Sequence, residues 1–386
     1  MKREHMDHSQ HEPRGMFRSV MTLGHIRGIR IELHASWLVI FALLLFTMTT
    51  GLRDQFANWS FTQAVVTALL TSLAFFASIV AHELGHSLVA IRRGVPVRAI
   101  TLFIFGGVAQ LDKDSESAED EFWIAIAGPA VSFVLALAFG ILSGLAVSES
   151  WTVGLGWLAV INLMVAVFNL VPGFPLDGGR VLRALVWKFT GDAGKGMRAA
   201  VAGGRLVAYG LFAWGLWRIL VEGNLLGGFW LMLLAWFLLN MAEGHGQSFN
   251  LQKQLRGIRA GALADPDVPL VAPSTTVEEW IHSRVLPEGQ RSYMVDDGHR
   301  VLGLVSLSDT SATDRERWSE LRIADLMTPI EQVVRVGPET EATEVLATMT
   351  EHNLNQLPVM EGDRVVGWID RERLLRTVNL HLELKA

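Results

Sequence analysis

The sequence contains no cysteine, which limits its chemistry from the outset. Without thiols it has neither a disulfide framework nor a thiolate metal site, so any transition metal must be held by His, Asp or Glu. Charged residues are also scarce, at 19% of 386 residues, and the scattered basic residues with a net charge of −6 give no footprint for nucleic acid. With 50% hydrophobic residues, the composition favours a membrane protein.

Uncharged or nearly uncharged segments of membrane-spanning length occur six times in the first two thirds of the chain. Lys and Arg are rich in the N-terminal region and in alternate connections, whereas the intervening connections hold only Arg53. This bias predicts that both termini are cytoplasmic. Residues 1–30 lack the pattern of a cleaved signal peptide and are expected to be a cytoplasmic tail. The predicted helices lie at about 33–50, 61–91, 122–147, 151–171, 205–221 and 224–242.

The remainder has the composition of a soluble protein. Residues 243–265 are rich in Gly, Gln and charge and are interpreted as a linker. In residues 266–386 the stretch "VAPSTTVEEW" recurs about 64 residues later as "VGPETEATEV", and each copy predicts a short helix, a strand, a Gly-containing turn and a second strand. The predicted fold class is therefore mainly α: a polytopic six-helix membrane domain at 31–242, with a short β-hairpin or edge strand, followed by a cytoplasmic α/β domain.

The stretch "SIVAHELGHSLVAI", residues 78–91, places three polar groups inside an apolar helix. His82 and His86 are four residues apart, so they lie on nearly the same helix face and can point at one ion. Glu83 is one residue off that face, where its carboxylate can take a proton from water at the metal. The alternative is a set of buried polar groups that help helices pack. That alternative is costly in a membrane, where ionisable groups mark function by default.

A catalytic zinc site usually takes three protein ligands, so a third group is required at membrane depth. His34, His245 and Asp177 are the candidates, and Asp177 is the best of them because it lies in the broken segment "NLVPGFPLDGGR". Irregular backbone is tolerated in a membrane only where it lines a cavity. The alternative for Asp177 is an N-cap of a short helix at 178–189. Asn169, in the same segment, either contacts substrate or makes an interhelical hydrogen bond.

The segment "ITLFIFGGVAQLDKD" alternates β-branched and aromatic residues around two glycines, which predicts a short hairpin or edge strand. Such an edge beside the metal site would hold a substrate as an added strand, and Phe105, Gly106 and Gly107 are its candidate residues. A membrane-packed loop is the alternative.

With these motifs in this order, the sequence resembles the site-2 protease family of intramembrane zinc metalloproteases. The resemblance implies that His82, His86 and Asp177 are zinc ligands, that Glu83 is the catalytic acid/base and that Asn169 contacts substrate. It also implies cleavage in or near a transmembrane segment of a membrane protein, such as an anti-sigma factor or a signal-peptide remnant, in a bacterial or archaeal cell membrane. The matching pieces, in order, are "AHELGH" (81–86), "FGGVA" (105–109), "AGPAVSF" (127–133) and "NLVPGFPLDGGR" (169–180).

The C-terminal repeat resembles a pair of CBS (cystathionine-β-synthase) domains. Members of that family bind adenine nucleotides such as ATP, ADP or AMP and stack across a two-fold axis, which implies regulation and a homodimer. Gly303, Ser306 and Asp309 of the first copy fit the family's ribose-binding pattern, whereas Asp370 and Arg373 replace its Ser/Thr and Asp in the second. The alternative for Asp309 is an exposed cap of the following helix.

Together these features predict an intramembrane zinc protease regulated by nucleotide binding. Two rival hypotheses are a membrane metal transporter regulated by the CBS pair and a non-catalytic sensor. The transporter accounts for His and Asp in the membrane but does not need Glu83 between two metal-facing histidines. The sensor would only sense nucleotide, and purified protein without bound zinc would favour it.

Overall fold

The computed structural model describes residues 19–103, 106–111, 115–362, 364–374 and 376. The chain divides into two compact units, one ending at Phe249 and the other beginning at Asn250.

Long apolar helices dominate the first unit. Six of its helices are long and apolar enough to cross a bilayer, which confirms the predicted number and makes this an integral membrane protein. The last of them stays helical to Leu255, through residues interpreted above as linker. The helices are α1 (Ala35–Gln55), α2 (Phe61–Arg92), α3 (Ala118–Leu145), α4 (Glu149–Asn169), the short α5 (Asp177–Thr190), α6 (Ala193–Leu220) and α7 (Leu225–Leu255).

Polar caps begin these helices, and apolar side chains cover their outer faces. Ser60, Ser117 and Ser148 accept hydrogen bonds from backbone N–H groups at the starts of α2, α3 and α4. Large apolar side chains such as Phe46 and Val134 are more than half exposed, as expected where the surrounding solvent is lipid.

A four-stranded sheet packs against α2 and α3. Its strands are β1 (Ser19–Ile26), β2 (Ile29–His34), β3 (Val97–Phe103) and β4 (Gly106–Leu111), hydrogen-bonded in that order. β3 and β4 pair antiparallel, so the predicted hairpin is confirmed, and β2 pairs with β3 in parallel.

The sheet also corrects the expectation that residues 1–30 form a tail, because β1 and the start of β2 lie in that range. Ile29, Ile31 and Leu33 alternate along β2 and are buried, with Ile29 and Ile31 in one cluster with Ile100 of β3 and Ile124 of α3. The composition of residues 1–30 is polar and basic, so it does not show this alternation of apolar residues.

The second unit contains two copies of one helix-and-strand motif, as the repeat predicts. Trp280 and Tyr293 centre the core of the first copy, and Val345, Met349 and Leu357 centre that of the second. The helices are α8 (Ala260–Leu263), α9 (Val277–Trp280), α10 (Leu286–Glu288), α11 (Ile323–Leu326) and α12 (Ala342–Glu351). One sheet holds β5 (Leu270–Val271), β6 (Ser292–Asp296), β7 (Val301–Ser306) and β8 (Thr328–Pro329), and β9 (Gln356–Glu361) pairs with β10 (Arg364–Asp370).

Candidate active site

Three donor atoms from two helices converge in the first unit. The Nε2 atoms of His82 and His86 lie 3.2 Å apart, and each is 3.2 Å from Oδ2 of Asp177. Ligands at zinc bond lengths of 2.0–2.1 Å in a tetrahedral arrangement are about 3.3 Å apart. The trio therefore fits three corners of one zinc site, and both histidines are buried.

Helix α3 fixes the orientation of both imidazoles. The Nδ1–H of His86 donates to the carbonyl oxygen of Ile124 at 2.7 Å, and Nδ1 of His82 lies 2.9 Å from Oγ of Ser132. With Nδ1 engaged in this way, Nε2 is left to act as a ligand, which is the usual division of labour in a metal-binding histidine.

Gly128 lies on α3 between those two contacts and gives the imidazoles their room. A Cβ at this position would lie 2.1 Å from Nε2 of His86 and 2.7 Å from Nε2 of His82. Real Cβ atoms do not approach other atoms so closely, so any side chain here would displace the donors.

Asp177 reaches the histidines from the start of α5, directly after the irregular segment that follows α4. The backbone around residues 170–174 packs so closely on α5 that a Cβ at Gly178 or Gly179 would lie 2.4 Å from backbone atoms. Asp177 is the first residue of α5 rather than its cap: the N-cap is Leu176, which makes no side-chain hydrogen bond. The alternative role of Asp177 as an N-cap therefore finds no support, because its carboxylate is turned to the histidines.

Glu83 follows His82 on α2, is half-buried and makes no hydrogen bond with the part of the chain that the structure describes. Gly107 of β4 lies beside it: a Cβ there would be 2.5 Å from Cγ and 3.2 Å from Oε1 of Glu83. Gly106 adopts φ +128°, which favours glycine, and Phe105 lies outside the described residues. Among the described strands β4 is the last of its sheet, so one of its edges is unpaired.

The other residues singled out in the sequence make no hydrogen bond to the three donors among the described residues. Asn169 ends α4 with a half-buried side chain that has no hydrogen-bond partner among the described residues. His34 caps α1 by accepting from the backbone N–H of Ser36. His245 donates to the carbonyl of Met241 and stacks on another aromatic ring of the unit. Neither histidine belongs to the cluster that the donors of His82, His86 and Asp177 form among the described residues.

The part that α3 plays in the site is not predicted by the polar motifs of the sequence. Gly128 and Ser132 are four residues apart, which puts both on the face that meets the imidazoles. The small residues of "AGPAVSF" were the available signal, since small residues mark close helix contacts in membranes.

In the second unit a cleft of about 1030 Å³ is lined by both copies of the repeat, including Ser306 and Asp309 of the first and Arg371 of the second. Oδ2 of Asp309 accepts from the backbone N–H of Ser306 at 2.8 Å, so this carboxylate also acts as a helix cap. Gly303 does not line the cleft: a Cβ there would be 2.3 Å from the carbonyl oxygen of Thr328, so this glycine lets β8 approach β7.

Comparison with known proteins gives matches to both units. "Peptidase family M50" matches residues 70–149 and 139–208, and "CBS domain" matches residues 323–379. A relative of Synechocystis sp. that carries the name of a zinc metalloprotease is 33% identical over 362 residues, or 92% of this chain and 94% of the relative. A zinc metalloprotease of Methanocaldococcus jannaschii is 31% identical, covering 93% of this chain and 96% of the relative. A solved site-2 protease of that organism is 32% identical over 58% of this chain and 94% of its own, with a TM-score of 0.39.

Proposed function

Because this chain belongs to peptidase family M50, the site-2 protease family, and is a zinc metalloprotease, we propose that it hydrolyses peptide bonds in or next to membrane-spanning segments at the site formed by His82, His86, Asp177 and Glu83. The observation that carries the proposal is the mutual 3.2 Å spacing of three donors inside apolar helices, with a carboxylate on the next residue. If this protein transported a metal, it would need the three donors, but transport would not require the carboxylate of Glu83.

The donor set supports the following mechanism. When bound, zinc supplies the positive charge that activates water and polarises the scissile carbonyl. His82, His86 and Asp177 would hold it, with the imidazoles oriented by α3. Glu83 accepts the proton of the attacking water and returns it to the leaving amine. Its carboxylate is available for this role, because it makes no hydrogen bond to any described residue. Asn169 is proposed to contact the substrate from the end of α4.

The unpaired edge of β4 supports extended binding of the substrate. A substrate segment added to this edge would pass beside Glu83, because Gly107 of β4 already touches that side chain. Gly106, Gly107 and Phe105 are the proposed contacts. Main-chain hydrogen bonds to an edge strand require a substrate helix to unwind locally, and they recognise backbone rather than side chains.

Gly107→Ala is expected to reduce cleavage by at least about tenfold, because the added methyl group must displace β4 or Glu83 from a catalytic geometry that tolerates little movement. Zinc content should stay unchanged, since none of the atoms near this methyl group is a ligand. The measurement is cleavage of a tagged membrane segment alongside metal analysis. Gly51→Ala is the control, because Gly51 lies in α1 and a Cβ there meets nothing within 4 Å. Gly94 is not used for a Ser control, because its φ of +78° would strain any other residue.

The substrate is identified by trapping. Cells that produce the Glu83→Gln variant should accumulate an uncleaved membrane protein bound to it, to be recovered after cross-linking and identified by mass spectrometry. In cells with the active protein, the same substrate should show a new terminus within or beside a membrane-spanning segment. The family acts on membrane proteins, and an anti-sigma factor or a signal-peptide remnant is the proposed class here. Recovery of the same partners by active and inactive protein, without any new terminus, would count against proteolysis.

The proposed topology places both termini in the cytoplasm of a bacterial or archaeal cell. The alternation of Lys- and Arg-rich connections supports it. Tags at the two termini should then be protected from protease in intact cells, while a tag between α1 and α2 is cleaved.

For the second unit we propose that an adenine nucleotide binds the cleft and regulates proteolysis. The support is the cleft itself, lined by Ser306 and Asp309 of the first copy and by Arg291 and Arg371, whose guanidinium groups suit a phosphate. The second copy is not expected to bind ribose, since Arg373 pairs with Asp265 instead. A homodimer formed through these domains is part of the same proposal.

Asp309→Asn is expected to weaken ATP, ADP or AMP binding by about tenfold, because the ribose hydroxyls lose a charged acceptor. Titration calorimetry on the full-length protein measures it. Asp325→Asn is a matched control, since Asp325 caps α11 from the same relative position, accepting from the backbone N–H of Arg322 at 3.0 Å, and does not line the cleft. Equal losses in both variants would assign Asp309 to capping alone.

A further inference from the structure

A buried ion pair that takes no part in the proton transfers joins the two helices beside the metal site. Oε1 of Glu121 on α3 lies 3.1 Å from a terminal nitrogen of Arg183 on α5, and Nε of Arg180 lies 3.9 Å away. The Glu121 and Arg183 side chains are only 2% and 11% exposed. Buried charges are costly unless they are paired in good geometry, so this pair favours one placement of α5 against α3.

Both helices carry a part of the site close to the pair. Glu121 is three residues before Ile124, whose carbonyl holds the ring of His86. Arg183 is six residues after Asp177 on the short helix α5. At 1.5 Å per residue, these separations are about 4.5 and 9 Å along the helix axes. Because these separations are short, a displacement of α3 or α5 at the ion pair would also displace the carbonyl of Ile124 or the carboxylate of Asp177.

The carboxylate of Asp177 depends on the placement of α5. In the described part of the chain its hydrogen bonds go only to His82 and His86, and no side chain caps the helix start. The guanidinium of Arg183 is itself held, because it lies 5.1 Å from the ring centre of Phe249 on α7. Arg183 thus holds the middle of α5 through its side chain, six residues from Asp177 at the start of the helix.

We propose that the Glu121–Arg183 ion pair positions Asp177 and thereby sets the affinity of the site for zinc. The inference rests on the proposed function, since it assigns Asp177 as a ligand. Glu121 and Arg183 are positioning residues that act through Asp177 and do not touch substrate. The competing explanation is that the two charges merely neutralise each other in an apolar surrounding.

The test measures zinc affinity of the full-length protein in detergent by competition with a chromophoric chelator, and the absorption spectrum after substitution with Co²⁺. Glu121→Gln and Arg183→Gln are expected to weaken zinc binding about 10- to 100-fold and to change the Co²⁺ spectrum. Arg183→Lys keeps the charge but loses the planar fork, so it should fall between these and the wild type. The control is Asp120→Asn. Asp120 is next to Glu121 in the sequence, but its own carboxylate pairs with Arg93, which is partly exposed, so the zinc affinity of this variant should stay within twofold of the wild-type value.

A double variant, Glu121→Leu with Arg183→Met, separates positioning from charge neutralisation. It removes both buried charges of the pair, so the zinc-free protein should unfold thermally at a temperature closer to that of the wild type than either single Gln variant does. Positioning predicts that its zinc affinity stays low, and a return to wild-type affinity would overturn the proposal. Unchanged affinity in a folded single variant would overturn it as well. A wild-type protein that binds no zinc would instead overturn the assignment of the ligands, and with it this inference.

Discussion

Replacing Glu83 with glutamine is expected to lower kcat/KM for peptide hydrolysis by at least about 100-fold while zinc stays bound. A positioned acid/base contributes about 10²- to 10⁴-fold, and an amide cannot accept the proton of the attacking water. The three proposed zinc ligands are unchanged, because Glu83 is not among the donors that converge. The measurement combines cleavage of a tagged membrane substrate, recovered by trapping, with metal analysis of the same preparation.

Two further variants define what that result means. His82→Ala should lose zinc and activity together, since it removes one of three donors. Glu222→Gln, which disrupts an exposed ion pair with Arg218, should change neither. Cleavage by Glu83→Gln within tenfold of the wild-type rate would show that another group takes the proton.

Gly128→Ala is expected to remove zinc binding almost entirely, with a loss of affinity above about 100-fold and a matching loss of activity. The new methyl group would need the space of Nε2 of His86, at 2.1 Å, and of His82, at 2.7 Å. Metal sites tolerate donor displacements of only about 0.2 Å. Equilibrium dialysis against buffered zinc measures the affinity, and circular dichroism checks that the helices persist.

Gly144→Ala supplies the matched control, because it lies on the same helix and a Cβ there meets nothing within 4 Å. It should bind zinc like the wild type and gain slight helix stability from alanine. If Gly128→Ala also bound zinc normally, the imidazoles would have to move together without cost, which the hydrogen bonds to Ile124 and Ser132 oppose.

The sequence predicts what depends on pattern and misses what depends on close approach. Six apolar runs give six helices because a bilayer demands length and hydrophobicity, and the spacing of His82 and His86 predicts a shared face from helix geometry alone. Asp177 was singled out because a charge after broken backbone is costly at membrane depth. These interpretations need no tertiary information.

Gly128 and the Glu121–Arg183 pair could not be found in that way. A glycine in an apolar helix can serve many purposes. Only the positions of the two imidazoles show that Gly128 leaves room for His82 and His86. Glu121 and Arg183 are 62 residues apart in sequence, so nothing local indicates that they meet. The strands β1 and β2 were missed because alternation over six residues is a weak signal beside many charges.

The origin of the donors on separate helices has a consequence for biosynthesis. Asp177 follows His86 by 91 residues, and α3, which orients the imidazoles, is translated between them. A nascent chain that has inserted only α1 to α4 carries Glu83 and both histidines but lacks Asp177, the third of the proposed ligands. With the proposed ligands, proteolytic activity can arise only after α5 has docked, so the ribosome and the insertion machinery would handle an inactive precursor until α5 has been made.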